Sequence, residues 1–249
     1  MRLLILNPNT SDDVTEMIAD AAAGNGAPDT EIDTITAPWG LPYIATRAEA
    51  TVAAHVILDM LAEHHRNYDA AVIAAFGDPG LGGARELFDV PVVGISEAAM
   101  LTACMAGRRF SVITFSPALR PWYVECVDWH GLGERCASIR ALDDPFSSVS
   151  AVQEEKEELL LALARRAIEE DGADVVIPAG TPLAGLARRI KHLIDVPVVD
   201  LVASAVRQAE VMAALAHRAP VSGTFRRPVA KDSSGLTTAL AARFAHKDE

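Results

Sequence analysis

Cysteine is scarce in this chain. Its 249 residues hold only Cys104, Cys126 and Cys136, with none of the paired spacings of a disulfide framework or a zinc site. A stapled secreted scaffold is excluded and reduced thiols are expected. Basic residues are few as well: Lys and Arg number 22 against 34 Asp and Glu, a formal charge of −12 at neutral pH. That balance excludes sequence-independent binding to nucleic acid or to an anionic membrane, both of which need basic surface. It leaves room for a small anionic substrate, which a few backbone N–H groups hold locally. No apolar run approaches a membrane span, and the four apolar residues after Met1-Arg2 are too few for a signal-peptide core, so a cytoplasmic protein is expected. Gly80-Leu-Gly-Gly lacks the glycine order of a dinucleotide fingerprint, and no His/acid cluster has metal-ligand spacing. Neither a cofactor nor a metal is expected.

What the chain does have is a long repeat. Asp69-Ala-Ala-Val-Ile-Ala-Ala-Phe-Gly-Asp-Pro-Gly-Leu81 returns in outline as Asp174-Val-Val-Ile-Pro-Ala-Gly-Thr-Pro-Leu-Ala-Gly-Leu186. Downstream, Asp89-Val-Pro-Val-Val93 is matched identically by Asp195-Val-Pro-Val-Val199. Upstream, the segment from Arg2 to Thr10 lies over the one from Arg109 to Pro117, setting Asn7 and Asn9 against Thr114 and Ser116. A period of about a hundred residues is too long for a solenoid, whose repeats recur roughly every 20 to 50. A duplicated α/β lobe explains it.

Half of the residues are apolar, enough for a well-buried core. Strands are expected at 3–6, 31–35, 70–76 and 90–95 in the first lobe and at 110–114, 136–141, 174–178 and 196–200 in the second. Helices are expected between them, from the turn at Thr10 or Ser11, over 47–65, from Asp78-Pro79 to Phe88, and over 96–106, 119–130, 150–170 and 184–193. Strand and helix alternate throughout, so each lobe reads as a mostly parallel sheet with helices on both faces. Lobe 1 spans 1–100 and is completed by a last helix over 200–217; lobe 2 spans 101–199; residues 218–249 read as an irregular tail. Exposed apolar helices point to a symmetric homo-oligomer.

Ligands in parallel sheets bind at the carboxyl ends of strands. Two lobes related by a pseudo-twofold would bring four strand-end loops to one cleft: Asn7–Ser11, Ala75–Leu81, Thr114–Pro117 and Ala179–Leu186. Three of these lead into helices, whose free amides suit a carboxylate or an enolate oxygen. The amides of Phe76-Gly77 and Thr181 are the expected oxyanion cradle. Asn7, Asn9, Thr114, Ser116 and Thr181 supply side-chain hydrogen bonds, and Thr10, Tyr43, Ala75, Gly180 and Pro182 complete the expected substrate-binding set. The plainer reading of such residues is turns and caps, but they recur at matching places in both lobes.

Asp78 is the only carboxylate of the two central loops and the candidate general acid or base, with Thr181 beside it as a second catalytic candidate. An Asp before Pro at a helix start is equally an ordinary cap. Cys126 and His130 stand four apart on an expected helix, where a thiolate–imidazolium pair would form, although Trp122, Tyr123 and Trp129 mark the same segment as a packing face.

Taken together, Asn7-Pro-Asn-Thr-Ser11, Phe76-Gly-Asp-Pro-Gly-Leu81, Pro91-Val-Val-Gly-Ile-Ser-Glu-Ala-Ala99, Gly107-Arg-Arg-Phe-Ser-Val112, Arg135-Cys-Ala-Ser138 and Leu183-Ala-Gly-Leu186 resemble the hydantoin racemase branch of the aspartate/glutamate racemase superfamily. The resemblance runs to about residue 217. It implies a two-lobed pseudo-symmetric α/β fold, an active site between the lobes, a small-molecule substrate, and no metal or coenzyme. It also implies two catalytic cysteines, one after the central strand of each lobe, of which one thiolate removes the α-proton and the other thiol returns it.

Those two positions fall here at Ala75 and Gly180. Neither carries a proton, so two-thiol racemisation is excluded, and the smaller side chains imply a wider cleft. A decarboxylase relative within the same superfamily stabilises an enolate with a single cysteine. The expectation is therefore an enzyme acting on a small hydantoin, cyclic amide or amino-acid-derived carboxylate through an enolate-like intermediate, with Asp78, Thr181, Ser116, Tyr43 or water moving the proton. A lyase or hydrolase on the same scaffold, and a non-catalytic ligand-binding paralogue, are the alternatives.

Overall fold

Strand β1 (Arg2–Asn7) divides its side chains between two cores. Leu3 and Ile5 enter one cluster and Leu4 and Leu6 the other, the alternation that a strand's period of two dictates. All four are fully buried, each contributing about 1.5–3 kcal/mol. In this computed structural model, which describes residues 1–145, 147–148, 151–215 and 220–247, β1 is followed by α1 (Asp12–Ala22), β2 (Glu31–Thr36), α2 (Arg47–His64), β3 (Ala70–Ile73), α3 (Leu81–Leu87), β4 (Val92–Gly94) and α4 (Ile95–Ala106). The second half runs β5 (Phe110–Thr114), α5 (Arg120–Trp129), β6 (Cys136–Ala141), α6 (Val152–Asp171), β7 (Val175–Pro178), α7 (Leu186–Ile190), α8 (Leu201–Ala214) and α9 (Thr238–Ala245). Among the described residues no helix is long and apolar enough to cross a membrane.

The strands form two parallel sheets, ordered β2-β1-β3-β4 and β6-β5-β7. The expected strand at 196–200 is reduced to a bridge between Val176 and Val198. It lies beside β7 where β4 lies beside β3, so the two orders correspond. The repeat extends to single contacts. Asp69 accepts the Arg2 amide at 2.7 Å and Asp174 accepts the Arg109 amide at 2.8 Å, fastening the first residue of each central pair of strands.

Local sequence explains the helix starts. Ser11 caps α1 through the Val14 amide, Thr46 and Glu49 form a reciprocal capping box on α2, and Asp200 caps α8, each satisfying donors that the first turn leaves free. One face of the first sheet carries α1, α4 and α8, whose Val14, Ile18, Met100, Val202 and Val206 join Leu3 and Ile5. The other face carries α2 and α3, whose Val56, Ile57, Met60, Leu61 and Leu87 join Leu4 and Leu6.

Two expectations are corrected. The helix read from Asp78 begins at Leu81, because Gly77, Asp78 and Gly80 all have positive φ (119°, 47° and 80°) and form a turn that no α-helix accommodates. The tail read as irregular contains α9. Leu236, Leu240 and Phe244, spaced four apart, face the core beneath α2, while Thr237 both caps α9 and donates to Asp59 at 2.8 Å. The expected helix start at residue 150 and the boundary at 217–218 lie outside the described residues.

The lobes meet along α5. Its Trp122 lies against Gly77, its Glu125 accepts from Arg47 Nε at 2.7 Å, and His130 at its end reaches Asp78 at 3.0 Å.

Candidate active site

All four strand-end loops contribute to one cavity between the lobes: Asn9 after β1, Ala75 and Phe76 after β3, Phe115 after β5, and Gly180, Thr181 and Pro182 after β7. Tyr43 and Ile44 come from the 37–45 loop, and Leu119, Trp122 and Tyr123 close the remaining side. The void measures about 20 Å³, room for roughly one water molecule. The wider cleft expected from Ala75 and Gly180 is thus corrected, for a visible reason. Gly180 has φ of 109°, and a Cβ built there would lie 2.8 Å from Phe115 Cε1 and 3.4 Å from the Tyr123 oxygen, so aromatic groups occupy the space that a side chain would need.

The polar groups divide into those facing the void and those behind it. Asn7 is completely buried and knits the first turn together: its Nδ2 donates to Asn9 Oδ1, Ser11 O and Thr15 Oγ1, and its Oδ1 accepts the Asn9 amide. Asn9 Oδ1 also accepts the Ser11 amide, which leaves Nδ2 as this residue's group for a ligand. The Thr10 amide donates to Leu41 O, holding the loop that carries Tyr43. Thr114 Oγ1 donates to Ala179 O at 2.9 Å, and Ser116 accepts the Leu119 amide through its carbonyl. Asn7, Thr10, Thr114 and Ser116 therefore support the cavity, whereas Asn9, Tyr43, Phe76, Gly180, Thr181 and Pro182 line it.

Of the three amides expected to form an oxyanion cradle, one is engaged elsewhere. Gly77 N donates to Ser96 Oγ at 2.6 Å. The amides of Phe76 and Thr181 have no hydrogen-bond partner among the described residues. The Tyr43 hydroxyl is buried without a partner, and burial, with the Glu49 carboxylate adding to it, pushes its pKa above the usual phenol range. Burial does the same to Tyr123, Tyr43 adding and a hydrogen bond with Thr114 opposing. Both rings are therefore neutral hydroxyl groups at physiological pH.

Asp78 does not face this cavity. Its backbone turn sends the carboxylate to the N-terminus of α4, where Oδ1 accepts the Ser96 amide and Oδ2 the Glu97 amide, each at 2.9 Å. Gly94 makes room for it, since a Cβ there would lie 2.3 Å from Asp78 Cγ. Trp122 lines both the cavity and a second, outer hollow of about 340 Å³ bordered by Asp78, the 79–83 loop, Cys126 and Trp129. The position expected of Asp78 within the cleft is corrected accordingly: among the described residues no carboxylate lines the void.

His130 Nε2 lies 3.0 Å from Asp78 Oδ2, and its Nδ1 lies 3.6 Å from Glu97 Oε1. Arg85 holds Glu97 through both guanidinium nitrogens. Cys126, one turn before His130, is buried, and desolvation together with the nearby Asp78 carboxylate pushes its thiol well above the usual range. The thiolate–imidazolium pair read from the spacing is thus replaced by a protonated thiol beside a His–Asp contact. Ser96 and Glu97, which organise this cluster, read in sequence only as a helix start. The spacing of Cys126 and His130 is its one visible signal.

A family model described as Asp/Glu/Hydantoin racemase matches residues 3–209. A hydantoin racemase of Paenarthrobacter aurescens is 36% identical over 236 residues, covering 93% of this chain and 99% of that protein. The structure of an allantoin racemase from Klebsiella pneumoniae superposes with a TM-score of 0.90 at 34% identity, covering 96% of this chain and 98% of the other. Arylmalonate decarboxylase shares the fold, with a TM-score of 0.60 at 16% identity over 86% and 92% of the two chains.

Proposed function

The chain belongs to the Asp/Glu/hydantoin racemase family, and on that premise we propose that it is a cofactor-independent isomerase of a small hydantoin, related cyclic amide or amino-acid-derived carboxylate. The substrate sits in the inter-lobe cavity and reacts through an enolate-like intermediate without a pair of thiols. The observation that carries this reading is the pair of unpartnered amides at Phe76 and Thr181, one from each lobe, on the wall of one cavity. Negative charge gathers on the substrate oxygen as the α-proton leaves, and fixed N–H donors in a water-poor site stabilise it; one such donor is worth about 2.7–4 kcal/mol.

Asn9 Nδ2 and the neutral Tyr43 hydroxyl add donors that orient a ring carbonyl. With Ala75 and Gly180 at the strand ends and Asp78 turned outward, the Thr181 hydroxyl and a water in the void are left to carry the proton. The void is small, so substrate entry requires the 37–45 loop and Trp122 to move outward. Exposed apolar residues on α4 and α8, among them Leu101, Met105, Val211 and Met212, fit a homo-oligomer of the same chain. The test is loss of optical rotation from enantiopure 5-substituted hydantoins and allantoin. Turnover is expected, with Tyr43→Phe and Asn9→Ala lowering it at least about tenfold; no rotation change across the series rejects the isomerase.

One observation favours a second reading, a binding paralogue or a lyase: the close contact of Phe115 with Gly180 leaves that face of the cavity without any group to return a proton. Saturable binding of a hydantoin with neither racemisation nor product formation selects the paralogue, and release of a fragment selects the lyase.

A further inference from the structure

Asp78, Cys126 and His130 place a carboxylate oxygen, a sulfur and an imidazole nitrogen within 4.8 Å of one another, the one group of this kind among the described residues. From this geometry we propose that the three side chains form a binding site for a borderline transition-metal ion, zinc foremost, that clamps lobe 1 to lobe 2. This goes beyond the proposed isomerase and does not depend on it, because Trp122 stands between the cluster and the cavity.

The donor set is of the kind zinc selects, one oxygen, one sulfur and one nitrogen. With bonds of about 2.0–2.3 Å, a tetrahedral ion asks for donors roughly 3.3–3.7 Å apart. The separation of 3.0 Å between His130 Nε2 and Asp78 Oδ2 is just under that range, and all three donor atoms lie within 4.8 Å of one another, so ion binding draws the farther donors inward.

The surroundings are arranged as metal sites arrange theirs. The imidazole that would offer Nε2 to the ion turns Nδ1 toward the Glu97 carboxylate at 3.6 Å, and Arg85 fixes Glu97 from behind. A carboxylate beyond the second ring nitrogen sets the tautomer and raises ligand basicity. Asp78 is held by the Ser96 and Glu97 amides. Charge closes as well: on binding, Cys126 gives its proton to solvent, and one thiolate with one carboxylate compensates a divalent ion. The fourth position opens on the outer hollow of about 340 Å³, which supplies an entry path and space for a water ligand. Asp78 belongs to the 75–80 turn of the first lobe, Cys126 and His130 to the α5 region of the second, so the ion ties together the two surfaces between which Trp122 is wedged.

The experiment uses the full, untagged chain carrying Cys104→Ser and Cys136→Ser, stripped with chelator and titrated with Co²⁺ alone, then Zn²⁺ alone. The expected result is one equivalent of Co²⁺ with a thiolate-to-cobalt charge-transfer band, displaced by Zn²⁺, and a raised Tm with either ion. Cys126→Ser removes the band, and His130→Gln weakens binding at least about tenfold. Saturating Co²⁺ without that band overturns the site, as does stoichiometric Zn²⁺ binding undiminished in the Cys126→Ser/His130→Gln variant. The spectrum of the Cys104→Ser/Cys136→Ser chain decides the matter even where a further variant fails to fold.

Discussion

The Trp122 indole lies directly on the backbone of Gly77: a Cβ added to that glycine would fall 2.2 Å from both Cε2 and Cζ2. This contact joins the lobes, separates the inner cavity from the outer hollow, and depends on a residue at φ of 119°, where no L side chain rests comfortably.

Gly77→Ala is accordingly expected to cost at least about 2 kcal/mol through backbone strain and displacement of the ring. Thermal unfolding followed by circular dichroism should show Tm lower by several degrees. An unchanged Tm would mean that the ring moves aside freely and that the contact does not hold the lobes.

Placing cysteines at both Ala75 and Gly180 is not expected to create two-thiol chemistry. Ala75→Cys adds only a sulfur to an existing Cβ, but Gly180→Cys must displace Phe115 from a 2.8 Å approach at a φ that disfavours any side chain. The double variant is expected to be destabilised and to gain no racemisation, whereas adding Phe115→Ala opens the space. Efficient racemisation by the double variant with Phe115 intact would show that the ring yields.

Arg140 joins β6 to the end of α6, donating from Nε to Asp171 at 2.5 Å, and this pairing lowers the Asp171 pKa from 3.8 to about 2. A carboxylate whose folded value is depressed contributes stability above its unfolded value and loses it as pH falls toward the folded one. Arg140→Ala should therefore cost about 1 kcal/mol near neutral pH, and denaturant titrations of variant and parent should converge between pH 4 and about 2. A gap that persists at the acid end would assign the loss to packing.

Leu240 is 1% exposed and anchors α9 beneath α2. Leu240→Ala should cost about 2–5 kcal/mol and make the tail an early target of limited proteolysis. A tail cleaved equally fast in the parent would show that α9 is undocked.

The fold was largely legible because its evidence is repeated. Asp89-Val-Pro-Val-Val93 marks a parallel strand and its copy at 195–199 a parallel bridge, the paired starts at Asp69 and Asp174 mark the central strands, and the symmetry brings four loops to one place. The site was legible as far as its backbone. What composition could not supply is the direction in which groups turn: the φ of 47° at Asp78 aims its carboxylate at α4, and Trp122 and Tyr123, which read as packing residues, together with Phe115 fill the cleft that small residues seemed to open. Spacing of four placed Cys126 beside His130, but Asp78, distant in sequence, joins them only through the tertiary fold. The helical tail was hidden by its Pro, Ser and Gly content, which masked the fourfold spacing of Leu236, Leu240 and Phe244.

The central claim is that this family scaffold moves an α-proton without cysteine. The most direct measurement is α-deuterium incorporation, by NMR in D2O, into 5-substituted hydantoins and allantoin with a variant in which Cys104, Cys126 and Cys136 are all replaced by Ser. Exchange at a rate within a few fold of the parent is the result predicted; exchange by the parent that vanishes in the cysteine-free variant would contradict it, as would a parent that exchanges none of these substrates.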